Sequence, residues 1–250
     1  MEPAEYRRLH DFESWYWWFV AHREHLVSAM RALKLPRHSR VLDAGCGTGR
    51  NLSEVFRRFG FQSYGVDFSP QAARCWNGTL PVHRILASVN ELPFANSVFD
   101  AVFSVDVLGC RGVDLSRSLL ELRRVLRLGG HLILMVPACP RIHSAHDLAV
   151  HSVQRFTRRT LSLAVKRTGF RLTQIKSCYP LFFPVIAGVR VLGNAVGARG
   201  TRVPRSDLRR LPAWLNRILA SVASFDRRLA EAGSFSFGTS LLMSARRSDE

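Results

Sequence analysis

Arg40-Val41-Leu42-Asp43-Ala44-Gly45-Cys46-Gly47-Thr48-Gly49 carries a β-rich run into three glycines at alternate positions, and Arg50 to Phe59 continues with a helical pattern. Glycine lets the backbone turn tightly and approach a ligand closely, and the first turn of a helix offers unpaired N–H groups to it. A second β-rich run, Gln62 to Val66, leads into Asp67, at the separation where a Rossmann-like unit places its ribose-binding acid. Strand, glycine turn, helix, strand and acid predict a parallel α/β sheet with a nucleotide-type site at the carboxyl ends of its strands. The dinucleotide fingerprint G-x-G-x-x-G requires glycine at position 50, where this chain has Arg50, which speaks against a nicotinamide dinucleotide.

Beyond that unit the alternation continues. His83 to Ala87, Phe99 to Val105, His131 to Val136 and Phe170 to Ser177 read as strands, and Phe237 to Ala245 as a last one. Asp114 is placed to cap a helix with Leu115, Leu119, Leu122 and Leu126 on one face, stopped by Gly129-Gly130. Phe19, Leu26, Met30 and Leu33 form the stripe of an N-terminal helix entered through Trp15-Tyr16-Trp17-Trp18, and Trp214, Ile218, Val222, Phe225 and Leu229 that of a late amphipathic helix. The expected layout is one domain over 1–250: an N-terminal helical lid (1–39), a ligand-binding core (40–178), a helical cap insertion (179–235) and the last strand with its tail (236–250). Gly193 to Ser206, rich in glycine and arginine, is the linker or loop candidate.

Lys and Arg number 36 against 19 Asp and Glu, a net charge of +17, and every basic residue except Lys34, Lys166 and Lys176 is arginine. The arginines are scattered without a dense block, so solvated helix faces account for them as well as a surface for anionic headgroups or nucleic acid does. Five cysteines, widely spaced and without a Cys-x-x-Cys pair, suggest neither a zinc site nor a disulfide framework, and a reducing cytoplasm is expected. Glu2 and Glu5 with no following apolar h-region argue against a secretory signal. The apolar stretch Leu181 to Val196 contains Pro184, Arg190 and Asn194 and falls short of the roughly 20 apolar residues of a spanning helix, so no transmembrane span is expected.

Taken in order, these residues resemble class I S-adenosylmethionine-dependent methyltransferases of the type 11 kind. Val41 to Gly49 is similar to the first motif, and Tyr64-Gly65-Val66-Asp67 with Ser69-Pro70 to the second. The likeness continues through Glu91-Leu92-Pro93-Phe94, Ser97-Val98-Phe99-Asp100, Glu121 to Leu126 and Gly129-Gly130. The resemblance implies a Rossmann-like, doubly wound sheet of seven mostly parallel strands with the last one antiparallel, and S-adenosyl-L-methionine as cofactor. It implies that Gly45, Gly47 and Gly49 line the methionine part, that Asp67 accepts both ribose hydroxyls and that Phe68 covers the adenine. Asp43, Cys46, Ser88, Val89 and Ser104 are the other implied cofactor-binding positions. A carboxylate acceptor suits two vicinal hydroxyls, and an aromatic face suits a purine. Ser88 stands where the family commonly has an aspartate facing the adenine amino group, with Asn90 or Glu91 as compensating candidates. Gly109-Cys110 replaces the family's frequent Glu-His, and there is no Asn-Pro-Pro-Tyr segment.

Methyl transfer from a sulfonium is an in-line displacement, and a general base is needed only when the nucleophile carries a proton of high pKa. The densest candidate cluster is His143-Ser144-Ala145-His146-Asp147 with His151 and Arg155-Phe156-Thr157, after the fifth strand, where it reaches the crevice. This block, with Trp17-Trp18-Phe19, Arg23 and Phe237 to Leu241, also resembles a bacterial branch of the superfamily linked to cell-envelope saccharide and lipid metabolism. That resemblance makes His146, Asp147 and His151 the catalytic candidates and Trp17, Trp18, Arg23 and Arg155 the acceptor-binding ones, with no metal. The reading is methyl transfer to a small-molecule, saccharide or lipid-linked acceptor by a cytoplasmic protein with contact to the anionic inner face of a membrane. An RNA methyltransferase, and a non-catalytic scaffold that retains the fold, are the two alternatives.

Overall fold

A computed structural model of the chain describes residues 3–76, 80–197, 208, 210–233 and 235–248. Its strands are β1 Arg40–Ala44, β2 Gln62–Asp67, β3 Val82–Leu86, β4 Phe99–Val105, β5 Leu126–Pro137, β6 Phe170–Cys178 and β7 Ser240–Arg247. Its helices are α1 Pro3–Phe12, α2 Trp17–Ala32, α3 Arg50–Phe59, α4 Pro70–Ala73, α5 Leu115–Val125, α6 Ala145–Ala149, α7 Arg158–Arg167, α8 Phe183–Gly197 and α9 Ala213–Ala232.

The strands form one sheet in the order β3-β2-β1-β4-β5-β7-β6. β1 to β5 pair in parallel, and β7 runs antiparallel between β5 and β6. Successive side chains alternate across the sheet, and both faces are apolar. Val41, Ala101, Phe103, Ile133 and Met135 pack with Leu26, Met30, Leu52 and Val55 of α2 and α3, while Leu42, Ala44, Val102, Leu132 and Leu134 pack with Leu119, Leu122, Leu161 and Val165 of α5 and α7. Each such leucine stabilises the fold by roughly 1.5–3 kcal/mol, so a sheet with two apolar faces demands helices on both. Strand order reverses between β1 and β4, and this is where an open α/β sheet leaves a crevice at its carboxyl edge.

The boundaries differ from the sequence reading in ways that have local causes. Asp114 caps α5 as expected, accepting the Arg117 N–H at 2.9 Å, but the helix stops at Val125. Leu126 is already extended and pairs with Phe99, so it opens β5 and does not extend the α5 stripe; the register breaks before Ala101 pairs with His131. β3 begins one residue earlier than expected, and β7 begins at Ser240, leaving Phe237 outside it and 45% exposed. α1 has too few apolar residues to announce itself, yet its Tyr6 and Phe12 are buried.

The late amphipathic helix is α9, and most of its apolar stripe faces outward. Its buried residues are Ala223, Asp226 and Ala230, while Trp214, Ile218, Val222 and Phe225 face outward. Of the linker candidate, Gly193 to Gly197 belongs to α8, and positions 198–206 lie outside the described residues.

Candidate active site

Gly45, Gly47 and Gly49 hold φ of +90°, +53° and +83°, the left-handed region that side chains resist. A Cβ on Gly45 would stand 2.2 Å from the Val107 side chain, so the loop after β1 meets the segment after β4 only because that atom is missing. The Gly45 and Cys46 N–H groups both donate to Val66 O at 2.8 Å, tying the loop to the end of β2. Ser104 Oγ donates to Ala44 O at 2.7 Å and braces the end of β1 from beneath.

Asp67 sits where β2 ends. Its Oδ2 accepts the Gly47 N–H at 2.8 Å and its Oδ1 the Ser69 N–H at 2.9 Å. A carboxylate has about four acceptor sites, so two remain for a pair of hydroxyls. Phe68, next along the chain, is 62% exposed and open to stack. Trp76 Nε1 donates to Gly47 O at 2.7 Å and props the loop from the far side.

Ser88 Oγ accepts the Asn90 N–H at 3.2 Å, and both proposed substitutes for the missing aspartate have partners within the protein. The Asn90 side chain is spent on Gly112 O, the Asp114 N–H and Ser118 Oγ, and Glu91 pairs with Arg117. Val89 is buried in the core behind them.

Two buried carboxyls lie against the glycine loop, and both are held above the ordinary carboxylate range. Asp43 is 1% exposed with Oδ2 lacking any protein partner, and burial, aided by nearby Asp67, pushes its carboxyl well up. Glu13, in the turn between α1 and α2, accepts Thr48 Oγ1 at 2.5 Å; burial raises it against the pull of Thr48, His10, Arg23 and Arg50. A ligand with an ammonium and a sulfonium fits such a pair, because it supplies the cationic charge the buried acids lack. An orphaned carboxylate oxygen and a ribose acceptor beside one loop are the features S-adenosyl-L-methionine requires. Tyr6 of α1 closes over the same region: its hydroxyl bonds Ser69, and burial pushes it up to about 12.

Across the crevice, β4 ends in Asp106 at φ +57°. His22 of α2 places Nε2 3.0 Å from Asp106 Oδ2 and Nδ1 3.1 Å from the Tyr179 hydroxyl. With the Tyr179 O–H donating to Nδ1, Nε2 carries the hydrogen; it lies close to the Asp106 carboxylate without the alignment of a hydrogen bond. Trp18 stacks on Tyr179 at 4.5 Å and on His22 at 5.6 Å, locking both rings. The Asp106 side chain is 47% exposed and that of His22 8%, so this chain of groups runs outward from the interior to the crevice. Burial holds the Tyr179 hydroxyl well above its ordinary value, and burial pulls neighbouring His25 down to about 3, which leaves both neutral. Sequence reading did not find Asp106, His22 or Tyr179 as a group, because no local pattern marks contacts made across the whole fold.

The predicted acceptor-side residues have other partners. Asp147 accepts Arg155 Nε and Nη2 on Oδ1 at 3.1 and 2.7 Å, and the Ser144 N–H and Oγ on Oδ2 at 2.8 and 3.1 Å. Arg155 Nη1 donates to Ala138 O at 2.8 Å, and Arg190 Nη1 lies 3.6 Å from Asp147. Burial alone would raise the Asp147 carboxyl; the Arg155 hydrogen bonds and charge outweigh it and hold it low. The pair therefore clamps α6 to the end of β5 and to α8, and three of the five Arg155 N–H groups are spent inside the fold. Arg23 is likewise turned inward, 6% exposed, with Nη2 on Glu13 O at 2.5 Å.

Trp17 stacks on Phe182 at 5.0 Å, and its N–H donates to Asn216 Oδ1 at 2.9 Å, so it joins lid to cap. The His146 side chain lies outside the described residues. His151, at φ +56°, donates its N–H to Leu148 O, and its carbonyl accepts the Arg111 N–H. Among the described residues no group of three or more His, Cys, Asp or Glu is placed to hold a metal, and no helix is long and apolar enough to cross a membrane.

A doubly wound sheet with an antiparallel seventh strand, a glycine loop after β1 and a free-faced acid after β2 defines the class I methyltransferases. Residues 42–134, which carry the glycine loop and Asp67, match the methyltransferase domain model of the type 11 family. Malonyl-[acyl-carrier protein] O-methyltransferase of Pseudescherichia vulneris is 28% identical over 192 residues, 71% of this chain and 75% of that protein. tRNA U34 carboxymethyltransferase of Shewanella sp. (strain ANA-3) is 37% identical over 101 residues, 38% of this chain and 30% of its own length. Among solved structures, the methyltransferase bound to the Haloferax volcanii Trm112 activator superposes with a TM-score of 0.63 at 19% identity, over 99% of this chain and 95% of that one. Such a likeness speaks for the fold.

Proposed function

We propose that the enzyme methylates a protic oxygen or nitrogen of a small, saccharide or lipid-linked acceptor, and that Asp106 takes the proton. The observation that carries this is the placement of the Asp106–His22–Tyr179 chain beside the cofactor loop: Asp106 follows β4, the strand paired with β1, and Val107 touches the position of Gly45. As the acceptor heteroatom gains the methyl group, its proton passes to the Asp106 carboxylate, beside which, at 3.0 Å, the His22 ring is fixed by Tyr179. The bound cofactor supplies the methyl group on a sulfonium that leaves as a neutral thioether.

Asp147 then belongs to the framework and not to the proton path. Trp17 and Trp18 bound the acceptor space through the lid, and Asp43, Glu13, Gly45, Gly47, Gly49 and Asp67 hold the cofactor. The lipid or saccharide class rests on the Trp17-Trp18-Phe19 and Ser144 to Thr157 resemblance. The tRNA enzyme matches this chain over 30% of its own length, so its acceptor does not transfer.

The experiment is to supply methyl-labelled S-adenosyl-L-methionine to the protein with lipid, saccharide and RNA fractions. Label in lipid or saccharide is expected, and label in RNA alone would overturn the acceptor class. With the labelled fraction as substrate, Asp106→Asn should lower turnover by about 10²-fold or more, a usual loss for a general base, while cofactor affinity stays within about twofold. Unchanged turnover would remove Asp106 from the proton path.

A further inference from the structure

We propose that the outward face of α9 seats the protein on an anionic lipid surface. The helix is built inside out for a core element. Its fully buried residues are small or polar, with Leu215 and Leu219 half-buried beside them: Ala223 and Ala230 are buried, Asp226 Oδ1 accepts the Leu181 N–H at 2.6 Å, and Asn216 Nδ2 donates to Trp15 O at 3.0 Å. Its outer side carries the bulk, with Trp214 62%, Ile218 51%, Val222 39% and Phe225 62% exposed. These positions follow i, i+4, i+8 and i+11, one continuous stripe about 16 Å long. The fold does not need four large apolar side chains in water, and a contiguous stripe of this kind marks a surface that meets another phase.

The charges beside the stripe decide which. Arg217 and Arg228 are exposed in the neighbouring row, with Ser221 between them. The helix has two acids, and both are engaged on the protein side: Asp226 is fully buried, and Glu231 pairs with Arg227 at 2.7 Å and accepts Ser28 Oγ at 2.6 Å. An aromatic and aliphatic stripe flanked by arginine is the pattern of a helix lying in the plane of a membrane interface. A net charge of +17 adds long-range attraction to anionic headgroups. RNA would leave the stripe unburied, and a second copy would bring like charges together. α9 also backs the lid through Asn216, which bonds Trp17 and Trp15, so a protein seated on this face holds its acceptor crevice beside the lipid. The inference deepens the lipid-linked reading and rests on it for its purpose, though the surface is tested without any acceptor.

The test is co-sedimentation of the full chain with vesicles of phosphatidylcholine alone and of phosphatidylcholine with phosphatidylglycerol, read together with tryptophan emission. Binding is expected to the anionic vesicles, weakening as salt rises. The double variant Trp214→Ser/Phe225→Ser should bind at least about tenfold more weakly, and Arg217→Gln/Arg228→Gln should lose most of the preference for anionic vesicles, with thermal midpoint and S-adenosyl-L-methionine affinity unchanged in both. No binding to anionic vesicles, or equal binding by the Trp214→Ser/Phe225→Ser protein, would overturn the proposal. So would a wild-type dimer that this variant converts to monomer, since the face would then join two copies. Failure here leaves methyl transfer standing, whereas vesicle binding without lipid methylation would count against the acceptor class alone.

Discussion

At the cofactor end of the molecule, the Gly47 N–H meets Asp67 across 20 residues; at the acceptor end, His22 meets Tyr179 across 157 and Trp17 meets Asn216 across 199. The first contact closes within one strand–loop–helix–strand unit, whose backbone demands are strict and local. The others form only when the lid, the β4 edge and the C-terminal helices have docked. A site made this way keeps one chemistry at the cofactor end while acceptor choice changes with few residues at the other.

The two ends should respond differently to damage. Arg155→Ala leaves buried Asp147 without its hydrogen-bonded cation, with only Arg190 at 3.6 Å, and the loss of stability should be about 3 kcal/mol, read by denaturant unfolding. Cofactor affinity of the folded fraction should hold, since the clamp lies away from the glycine loop. A variant as stable as wild type would mean that this corner is not held by the pair. The same clamp sets an acid limit: Asp147 is held low in the folded chain, so its contribution is present above the unfolded value of about 4 and fades as pH falls through the lowered folded one.

The cofactor end has the opposite sign, with a smaller effect. Burial raises Asp43, Asp67 and Glu13, so the folded protein without cofactor holds more protons than the unfolded chain above about pH 4, and it loses stability as pH rises through the raised values. A cationic ligand favours the ionised acids. Binding of S-adenosyl-L-methionine should therefore release protons and tighten as pH rises through that window. Titration in two buffers of different ionisation enthalpy reads this directly; identical enthalpies in both would show that these acids are already ionised.

The same contrast explains what the sequence made legible. Asp43, the three glycines and Asp67 were readable because spacing along one β-α-β unit dictates their geometry, and Asp114 because a cap acts within one turn. The Arg155–Asp147 pair was legible as residue types but its mutual contact was not, since type and spacing do not say whether a charge faces a ligand or a partner inside. α9 kept its predicted helix and its stripe, but its direction was not legible: periodicity shows that one face is apolar, and only packing shows which face turns inward. Asp106 and His22 had no signal, because they meet only through tertiary structure.

Calorimetric titration of the folded protein with S-adenosyl-L-methionine, beside Asp67→Ala, tests the central claim most directly. Hydrogen bonds to a charged group contribute roughly 1.5–3 kcal/mol each, so losing the acceptor of both ribose hydroxyls should weaken saturable wild-type binding by at least about 100-fold. Equal affinity in the two proteins, or no binding to the folded wild type, would contradict the placement of the cofactor on the Gly45 to Gly49 loop.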